Sequence, residues 1–215
     1  MSDSPKPKRT YNSTRRLAQA RQTRRLIVEA AGWLFRERGY TGTAIEAIAQ
    51  QAGVAVETIY ATFGNKVAIL SAVVDFSVVG DDEPVPLLQR PGIRAAQDEN
   101  DPRRLLDRFA GDVGGVMARM SPIFSLLRTA AKSEPEIAAL LERLLAERLH
   151  GMMFLIEQLE RTHGLRAGLD RQQAGETVWA LSSAEVFHLL TVERGWPREQ
   201  YSAWLADSLA RLLLR

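Results

Sequence analysis

Apolar residues recur along this chain at the three- and four-residue spacing of an amphipathic helix. The clearest stripe begins at residue 27 and consists of Ile27, Ala30, Ala31, Leu34 and Phe35. Gly39 is expected to end this helix, because glycine readily adopts a positive φ. No segment alternates apolar and polar residues as a half-buried strand does. The pattern therefore predicts an all-α protein of about nine helices.

Two short helices are predicted between residues 43 and 63, on either side of Gly53. Thr43 and Glu46 have the spacing of a capping box, in which both side chains bond exposed amides at a helix start. The second helix, from about Val56 to Phe63, is too short to be stable without neighbours. Two such helices joined by a glycine-containing turn are typical of the helix-turn-helix motif, whose second helix enters the major groove of DNA.

One face of the second short helix is predicted to point outward, because Ile59 and Phe63 form its buried face. Together with the residue that precedes the helix, the candidate DNA-reading residues are Ala55, Val56, Glu57, Thr58, Tyr60 and Ala61. The Tyr60 hydroxyl can bond a phosphate. Thr43 and Lys66 stand at helix N-termini, where free amides favour phosphate. The alternative is an ordinary helical subdomain.

Charge is unevenly distributed along the chain. Residues 1–25 carry eight basic side chains against Asp3 alone, a balance of +7, and Arg24 and Arg25 end this basic segment. The remaining 190 residues carry 20 basic and 25 acidic side chains. Residues 1–14 contain two prolines and few apolar groups, which predicts a disordered arm. The arm either follows a polyanion such as DNA or is a solvated tail.

Composition excludes several classes of function. The 215 residues include no cysteine, which excludes disulfides, thiolate nucleophiles and cysteine-based zinc sites. No Gly-rich phosphate loop, nucleophile elbow or cluster of metal ligands is recognisable, so we expect neither an enzyme nor a cofactor. No apolar run reaches the roughly 20 residues of a membrane-spanning helix, and no secretory signal is visible. We therefore expect a cytoplasmic protein without a membrane partner.

Residues 80–102 separate two helical parts of the chain. This segment contains three consecutive acidic residues and four prolines, a composition typical of a long loop. Residues 15–79 are then expected to form the DNA-binding domain with a connecting fourth helix. Residues 103–215 are expected to form a larger helical bundle that binds a ligand and dimerises.

Helix starts are also predicted within residues 103–215. Ser121-Pro122 combines an N-cap residue with proline at the first helical position, so we expect a new helix there. Ser133 with Glu136 and Asp170 with Gln173 are expected to cap two more helices. The helix that Asp170 begins is predicted to run to about Glu193, and Trp196-Pro197 to begin the last one.

Large apolar side chains in this second part can line a ligand pocket or fill the core. The pocket candidates are Phe109, Val113, Met117, Phe124, Met153 and Trp179, with Arg128 as a polar anchor. Methionine suits an adaptable pocket, although any single one of these residues is more simply explained as core. The last two helices carry more apolar side chains than a small bundle needs. The predicted dimer surface therefore consists of Phe187, Trp204, Leu205, Leu209 and Leu212.

Residues 20–75 resemble the TetR family of bacterial transcriptional regulators. The resemblance rests on Gly39-Tyr40-Thr41-Gly42-Thr43, Ile48-Ala49-Gln50-Gln51-Ala52-Gly53-Val54, Thr58-Ile59-Tyr60, Phe63 and Lys66. It implies three DNA-binding helices, a connecting fourth helix and a larger domain that dimerises and binds a small molecule. It also implies phosphate contacts from Thr43, Tyr60 and Lys66, and base contacts from Val56, Glu57 and Thr58, with Ala61 nearby.

The chain departs from the family pattern at three positions. The family often has a hydroxyl residue in place of Ala55, glycine in place of Glu57, and commonly histidine in place of Thr62. The change at Glu57 has the largest consequence, because phosphates repel a carboxylate. We therefore expect Glu57 either to accept a hydrogen bond from a cytosine amino group or to be held away from the DNA backbone.

Together these observations predict a homodimeric repressor that a small apolar or amphipathic ligand releases from a palindromic operator in double-stranded DNA. Two alternatives remain at this point. One is an activator or a ligand-independent regulator of the same fold. The other is a protein-interaction module that does not bind DNA.

Overall fold

A computed structural model describes residues 11–80 and 98–215, with side chains from residue 15 onward. Within these ranges the chain is helical apart from turns and one isolated antiparallel bridge between Leu165 and Leu214. The all-α prediction is therefore confirmed. The first ten residues of the predicted arm and most of the predicted loop, residues 81–97, lie outside the described residues.

The helices are numbered here in chain order over the described residues. The N-terminal ones are α1 (Tyr11–Arg38), α2 (Ile45–Ala52), α3 (Val56–Phe63) and α4 (Lys66–Val79). The remaining ones are α5 (Pro102–Ala130), α6 (Pro135–Arg161), α7 (Arg171–Leu181), α8 (Ala184–His188) and α9 (Arg198–Leu213). A π-helical turn, Leu189–Glu193, follows α8. Below, α1–α3 are called the head and α5–α9 the body.

The head is held together by the apolar stripe predicted on α1, which is fully buried. Ile48 of α2 and Ile59 of α3 are also buried in this core. Because α1 already begins at Tyr11, residues 11–14 are helical, so the expectation of disorder up to residue 14 was wrong for them. Helix α4 is apolar on most of its surface, since it packs against α1 on one side and against α5 and α6 on the other.

Helix α5 continues through Ser121-Pro122, where the sequence predicted the start of a new helix. A proline inside a helix removes one backbone hydrogen bond and crowds the preceding turn. Pro122 itself is exposed, whereas Met120, Ile123 and Phe124 on either side of it are buried. Burial of these flanking side chains against the rest of the body stabilises one continuous helix. This stabilisation exceeds the free-energy cost of a proline inside the helix.

The predicted caps in the body have different outcomes. The Asp170 carboxylate accepts a hydrogen bond from the Gln173 amide at 2.8 Å, as expected for the N-cap of α7. Ser133 does not cap α6, because its hydroxyl donates to the Ala130 carbonyl at 3.4 Å and Glu134 occupies the N-cap position. The Ser133 side chain therefore stabilises the turn after α5 instead of the start of α6.

The helix predicted from Asp170 to Glu193 is interrupted at Ser182 and Ser183. The Ser182 hydroxyl donates to the Val178 carbonyl at 2.7 Å, and the Ser183 hydroxyl accepts from the Val186 amide at 3.2 Å. Serine side chains bond nearby backbone groups in this way where a helix ends or begins. The chain therefore ends α7 and starts α8 at this serine pair.

In the body, α9 packs closely along α5. A Cβ atom added to Gly114 of α5 would collide with the hydroxyl of Ser202 on α9, so only glycine allows this approach. Tyr201 is fully buried between the two helices and α8, and its ring meets that of Phe187 edge-on at 4.9 Å between centroids. The C-terminal helix is thus part of the core of a single chain.

Over the described ranges, no single helix is both long and apolar enough to cross a membrane. Helices α3 and α4, with a bend of 71° between them, are long and apolar enough only when taken together.

Candidate nucleic-acid interface and ligand cavity

The outward surface of α3 agrees in part with the prediction. Glu57, Tyr60 and Ala61 are exposed, and half of the Tyr60 surface is accessible. Val56 and Thr58 are only half-exposed, and Val56 packs against the core of the head. Of the predicted DNA-reading residues, Ala55, Glu57, Tyr60 and Ala61 are therefore the exposed ones.

The start of α3 has no side-chain cap. Ala55 is the N-cap residue, and its methyl group cannot accept a hydrogen bond from the first amides of the helix. The only acidic residue in this first turn is Glu57. The Thr58 amide donates to the Ala55 carbonyl at 3.0 Å, and the amides of Val56 and Glu57, for which the described residues supply no acceptor, can bond an acceptor from outside such as a phosphate oxygen.

Thr43 has a different role from the one predicted. Its side chain is fully buried, and its hydroxyl donates to the carbonyl oxygens of Gly39 at 2.8 Å and Leu34 at 3.2 Å. Ala44 occupies the N-cap position of α2 without a side-chain hydrogen bond, so the predicted capping box of Thr43 with Glu46 is wrong. The Thr43 hydroxyl ties the start of α2 to the end of α1 and is not free to bind a phosphate.

The Lys66 side chain likewise turns into the protein. Its ammonium group donates to the carbonyl oxygens of Tyr40 at 3.0 Å and Thr43 at 3.1 Å, and it lies 4.2 Å from the centre of the Tyr40 ring. The expected phosphate-facing orientation is therefore wrong. Lys66 connects the start of α4 to the turn between α1 and α2, and so fixes how the head is attached to the connecting helix.

Basic side chains extend the candidate interface along α1. The guanidinium of Arg24 lies 4.5 Å from the centre of the Phe63 ring, at the end of α3. Arg25 forms an ion pair with Glu29 at 2.8 Å. Arg15, Arg16 and Arg21 are exposed on the N-terminal half of α1. This half of the helix is a positively charged, solvent-accessible extension of the head.

A cavity of about 390 Å³ lies where α4, α5 and α6 meet. Four of the predicted pocket residues line it, namely Phe109, Val113, Met117 and Phe124. The lining also includes apolar side chains that the sequence did not single out as pocket residues, among them Val74, Val78, Leu105, Val116, Met120, Leu144 and Met152. A volume of this size lies within the range of about 300–1,000 Å³ typical of small-molecule sites.

Three of the predicted pocket residues do not line this cavity. Arg128 forms an ion pair with Glu185 at the surface of the body. Met153 packs against Gly175 of α7. Trp179 stacks with Arg148, whose guanidinium carbon lies 4.8 Å from the ring centre. Each of these side chains has the expected apolar or charged character, but Arg128 of α5 meets Glu185 of α8, while Met153 of α6 and Trp179 of α7 contact each other's helix.

Among the polar residues of the cavity wall, Arg148 is the half-buried charged one, and sequence reasoning missed it. Its Nη2 atom donates to the Trp179 carbonyl and, at 3.3 Å, to the Ser182 hydroxyl. Burial lowers the pKa of Arg148 to about 10, which still leaves the guanidinium charged at neutral pH. The sequence held no signal for this role, because Arg148 stands among other charged residues of α6.

Helix α4 connects the cavity to the head. Val74 and Val78 of α4 form part of the cavity wall, and Lys66 at the other end of the helix holds the turn of the head. Arg119 of α5 donates to the carbonyl oxygens of Ser77 at 2.7 Å and Val78 at 3.2 Å. These two carbonyls belong to the last turn of α4, so Arg119 anchors the end of α4 to the body.

The predicted dimer residues prove to be mostly core. Phe187, Leu205 and Leu209 are buried within one chain, so the prediction that they form a dimer surface is wrong. Their helices pack against α5, which already covers their apolar faces. Trp204 is half-buried, and Leu212 is 43% exposed.

Two apolar residues of the π-helical turn are exposed instead. Leu189 is 50% exposed and Val192 is 63% exposed. The sequence did not indicate either of them, because a regular helix through this region would have a different set of outward positions. Together with Leu212 they are the exposed large aliphatic residues of the described body.

Three comparisons with known proteins bear on this site. Residues 27–73, from the middle of α1 into α4, match the family model of bacterial regulatory proteins, tetR family. A search of curated protein sequences found no match. The structure is similar to the transcriptional regulator FadR from Bacillus subtilis in complex with stearoyl-CoA, with a TM-score of 0.70 and 20% identity over 86% of this chain and 96% of that chain.

Two further solved structures have the same fold. NalD, the secondary repressor of the MexAB-OprM multidrug efflux pump in Pseudomonas aeruginosa, has a TM-score of 0.63 and 24% identity over 90% of this chain and 97% of that chain. A protein from Rhodococcus sp. assigned to the TetR-family transcriptional regulators has a TM-score of 0.68 and 20% identity over 90% and 99%. At these identities the similarity concerns the fold.

Proposed function

We propose that this chain, whose residues 27–73 match the family model of bacterial regulatory proteins, tetR family, is a dimeric repressor that a small molecule releases from a palindromic operator. The observation that carries the proposal is the position of α4. One end of this helix holds the head through Lys66, and the other end forms a wall of the 390 Å³ cavity.

The head supplies the DNA contacts in this proposal. Tyr60 is exposed on α3 and can donate its hydroxyl to a phosphate, while Glu57 and Ala61 face the base edges. The exposed arginines of α1 add sequence-independent attraction to the phosphate backbone. Non-specific affinity then comes mainly from α1, and sequence preference mainly from α3.

The cavity supplies the release step. A ligand that fits best when Val74 and Val78 are displaced would favour a different tilt of α4, and Lys66 would pass that tilt to the head. DNA affinity then falls by the ratio of the ligand's affinities for the two arrangements, and DNA weakens ligand binding by the same factor. Two regulators with this fold support the proposal, since FadR is described in complex with stearoyl-CoA and NalD is described as a repressor.

Dimerisation places two heads on one DNA molecule. Leu189 and Val192 are exposed apolar residues of the π-helical turn after α8, and a second copy would remove them from water. A two-fold axis near this surface would set two α3 helices about one DNA turn apart, which requires a palindromic site.

The test is a selection of bound fragments from a random DNA pool by the full-length protein, followed by anisotropy measurements with the enriched sequence. We expect an enriched palindrome that binds with an affinity that falls steeply as salt is raised. The variant Tyr60→Ala should weaken binding to this sequence, while His150→Ala, at an exposed position of α6 in the body, serves as the control. If no sequence is enriched, a protein-interaction module is favoured. An enriched site without two-fold symmetry would contradict the dimeric arrangement.

A further inference from the structure

Arg148 is a partly buried cation without an acidic partner. Across residues 15–80 and 98–215, no carboxylate lies within ion-pair distance of its guanidinium. Other arginines of the body do have such partners, namely Arg103, Arg104, Arg128, Arg143, Arg171, Arg198 and Arg211. The charge that acts on Arg148 most strongly from a distance is that of Glu185, and its carboxylate is already bound by Arg128.

The hydrogen bonds of Arg148, a residue of the cavity wall, leave some of its donors unused. Nη2 bonds the Trp179 carbonyl and the Ser182 hydroxyl. The N–H groups of Nε and Nη1 have no acceptor within the described parts of the chain. A guanidinium carries five N–H donors, and the stacking of this one on Trp179 fixes its plane. Its unused donors therefore have a defined direction before any ligand binds.

The remainder of the cavity wall is mostly apolar, and the polar exceptions are arranged unevenly. Asp112 and Glu147 both belong to exposed residues at the rim, and Glu147 pairs with Arg143 at 3.7 Å. Ser182 is buried beside Arg148. Arg108, which is exposed, and Gln158, which is half-buried, complete the polar part of the wall. Arg148 is thus the half-buried charge of the wall, whereas Arg108, Asp112 and Glu147 lie where solvent screens them.

A partly buried charge without an ionic partner is less favourable than a fully hydrated one, because it has lost part of its water and gained no counter-charge. Arg148 cannot avoid this cost by losing its proton at neutral pH. Such a group is stabilised most by an anion that binds inside the cavity and brings apolar surface to cover the rest of the wall. The chemistry of the site therefore specifies both parts of the ligand.

We propose that the cavity binds an amphipathic organic anion, with its anionic group held by Arg148 beside Ser182 and its apolar part against the side chains of α4 and α5. The inference rests on the proposed function in one respect, namely that this cavity is the effector site. The anionic group would bond α6 and the end of α7, while the apolar part would contact Val74 and Val78 of α4. The charge of the ligand would then act on α6 and α7, and the length of its apolar part would act on α4.

Three probes with a ten-carbon chain and an anionic, neutral or cationic head group test this proposal by calorimetry on the full-length protein, below the micellar range of each. We expect decanoate to bind about 10- to 100-fold more tightly than decanol, as one charge-assisted hydrogen-bonded contact provides. Decyltrimethylammonium should bind more weakly than decanol. Equal affinities for decanoate and decanol, or no binding of decanoate, would overturn the proposal.

Substitution of Arg148 assigns the preference to this residue. Arg148→Gln should reduce decanoate affinity about 10- to 100-fold and leave decanol affinity unchanged, whereas Arg211→Gln on the exposed face of α9 should change neither. An unchanged ratio in Arg148→Gln would also overturn the proposal. If Arg148→Gln does not fold, Arg148→Met, which also removes the charge, should reduce the decanoate preference in the same direction, and a preference unaltered in that variant would count against the site.

Melting temperature separates a ligand-binding role from a structural one. Without ligand, Arg148→Met should melt at or above the temperature of the wild type, because an unpaired charge is replaced by an apolar side chain of similar length. A marked loss of stability would indicate a structural arginine and would contradict the proposal.

Binding of the selected operator by the wild type is measured in parallel. If the wild type does not bind DNA, the proposed function is refuted. If it binds DNA but does not prefer decanoate to decanol, only this inference is refuted.

Discussion

The Lys66 ammonium group lies 4.2 Å from the centre of the Tyr40 ring and donates a hydrogen bond to the carbonyl oxygen of the same residue at 3.0 Å. A second bond, to the Thr43 carbonyl at 3.1 Å, closes the turn between α1 and α2 from the other side. The turn is therefore held by a residue of the connecting helix. Lys66 thus adds a polar attachment between the head and α4 to the apolar packing of α4 against α1.

Replacement of Lys66 by methionine is expected to lower the free energy of unfolding by about 2–4 kcal/mol, because methionine can form neither the two charge-assisted hydrogen bonds nor the cation–π interaction. Urea denaturation measures the effect. Lys132→Met, an exposed lysine of the turn after α5, is the control and should change stability little. If Lys66→Met matched this control and instead flattened the salt dependence of DNA binding, Lys66 would be a phosphate contact after all.

Thr43→Val should lower the free energy of unfolding by about 1–3 kcal/mol, since the buried carbonyls of Leu34 and Gly39 lose their common donor. Thr43→Ser keeps the hydroxyl and should recover most of this loss. Thr41→Val, at an exposed position of the same turn, is the matched control. The slope of DNA affinity against salt should be the same in Thr43→Ser as in the wild type, and a shallower slope would indicate that Thr43 does bind a phosphate.

Glu57→Ala is expected to relax the DNA sequence preference at one position of each half-site. The carboxylate is exposed at the start of α3 and can accept from a cytosine amino group, a contact with a discrimination of about 1–3 kcal/mol. Binding-site selection with the variant measures the change, with Glu46→Ala on α2 as the control. An operator preference identical to that of the wild type at every position would show that Glu57 does not read a base.

The basic residues of the N-terminal arm and of the first half of α1 are expected to set the salt dependence of DNA binding. Changing Arg15 and Arg16 on α1 to glutamine should reduce the slope of log affinity against log salt by about 0.9 for each phosphate that the protein no longer neutralises. Deletion of residues 1–10 tests the remaining arm separately. A slope that neither change alters would identify the basic segment as a solvated tail.

Val192→Asp should convert the dimer to a monomer at micromolar concentration, because the variant would bury a charge at the proposed contact surface. Light scattering measures the mass. Leu17→Asp introduces the same charge at another exposed leucine, on the N-terminal half of α1, and should leave the mass unchanged. Retention of the dimer in Val192→Asp would place the interface elsewhere on the body.

Local hydrogen bonds were the least predictable part of the fold. The capping box at Thr43 and Glu46 fits the sequence pattern, yet the Thr43 hydroxyl bonds carbonyls of α1 that the fold brings close to it. Ser121-Pro122 has the composition of a helix start, yet burial of its neighbours continues the helix. A sequence pattern states which hydrogen bonds a residue can form, and packing decides which of them it does form.

The helical class, the helix-turn-helix segment and the buried stripe of α1 all follow from the order of residues alone, because helix periodicity is written directly into the succession of apolar and polar positions. Only the folded chain shows that Lys66 turns inward, that Phe187, Leu205 and Leu209 are core, and that Arg148 ends in the cavity. Periodicity reports which face of a helix is apolar, but it does not report which helix covers that face. The cavity and its unpaired guanidinium arise only where α4, α5 and α6 meet, and so no segment of the sequence contains them.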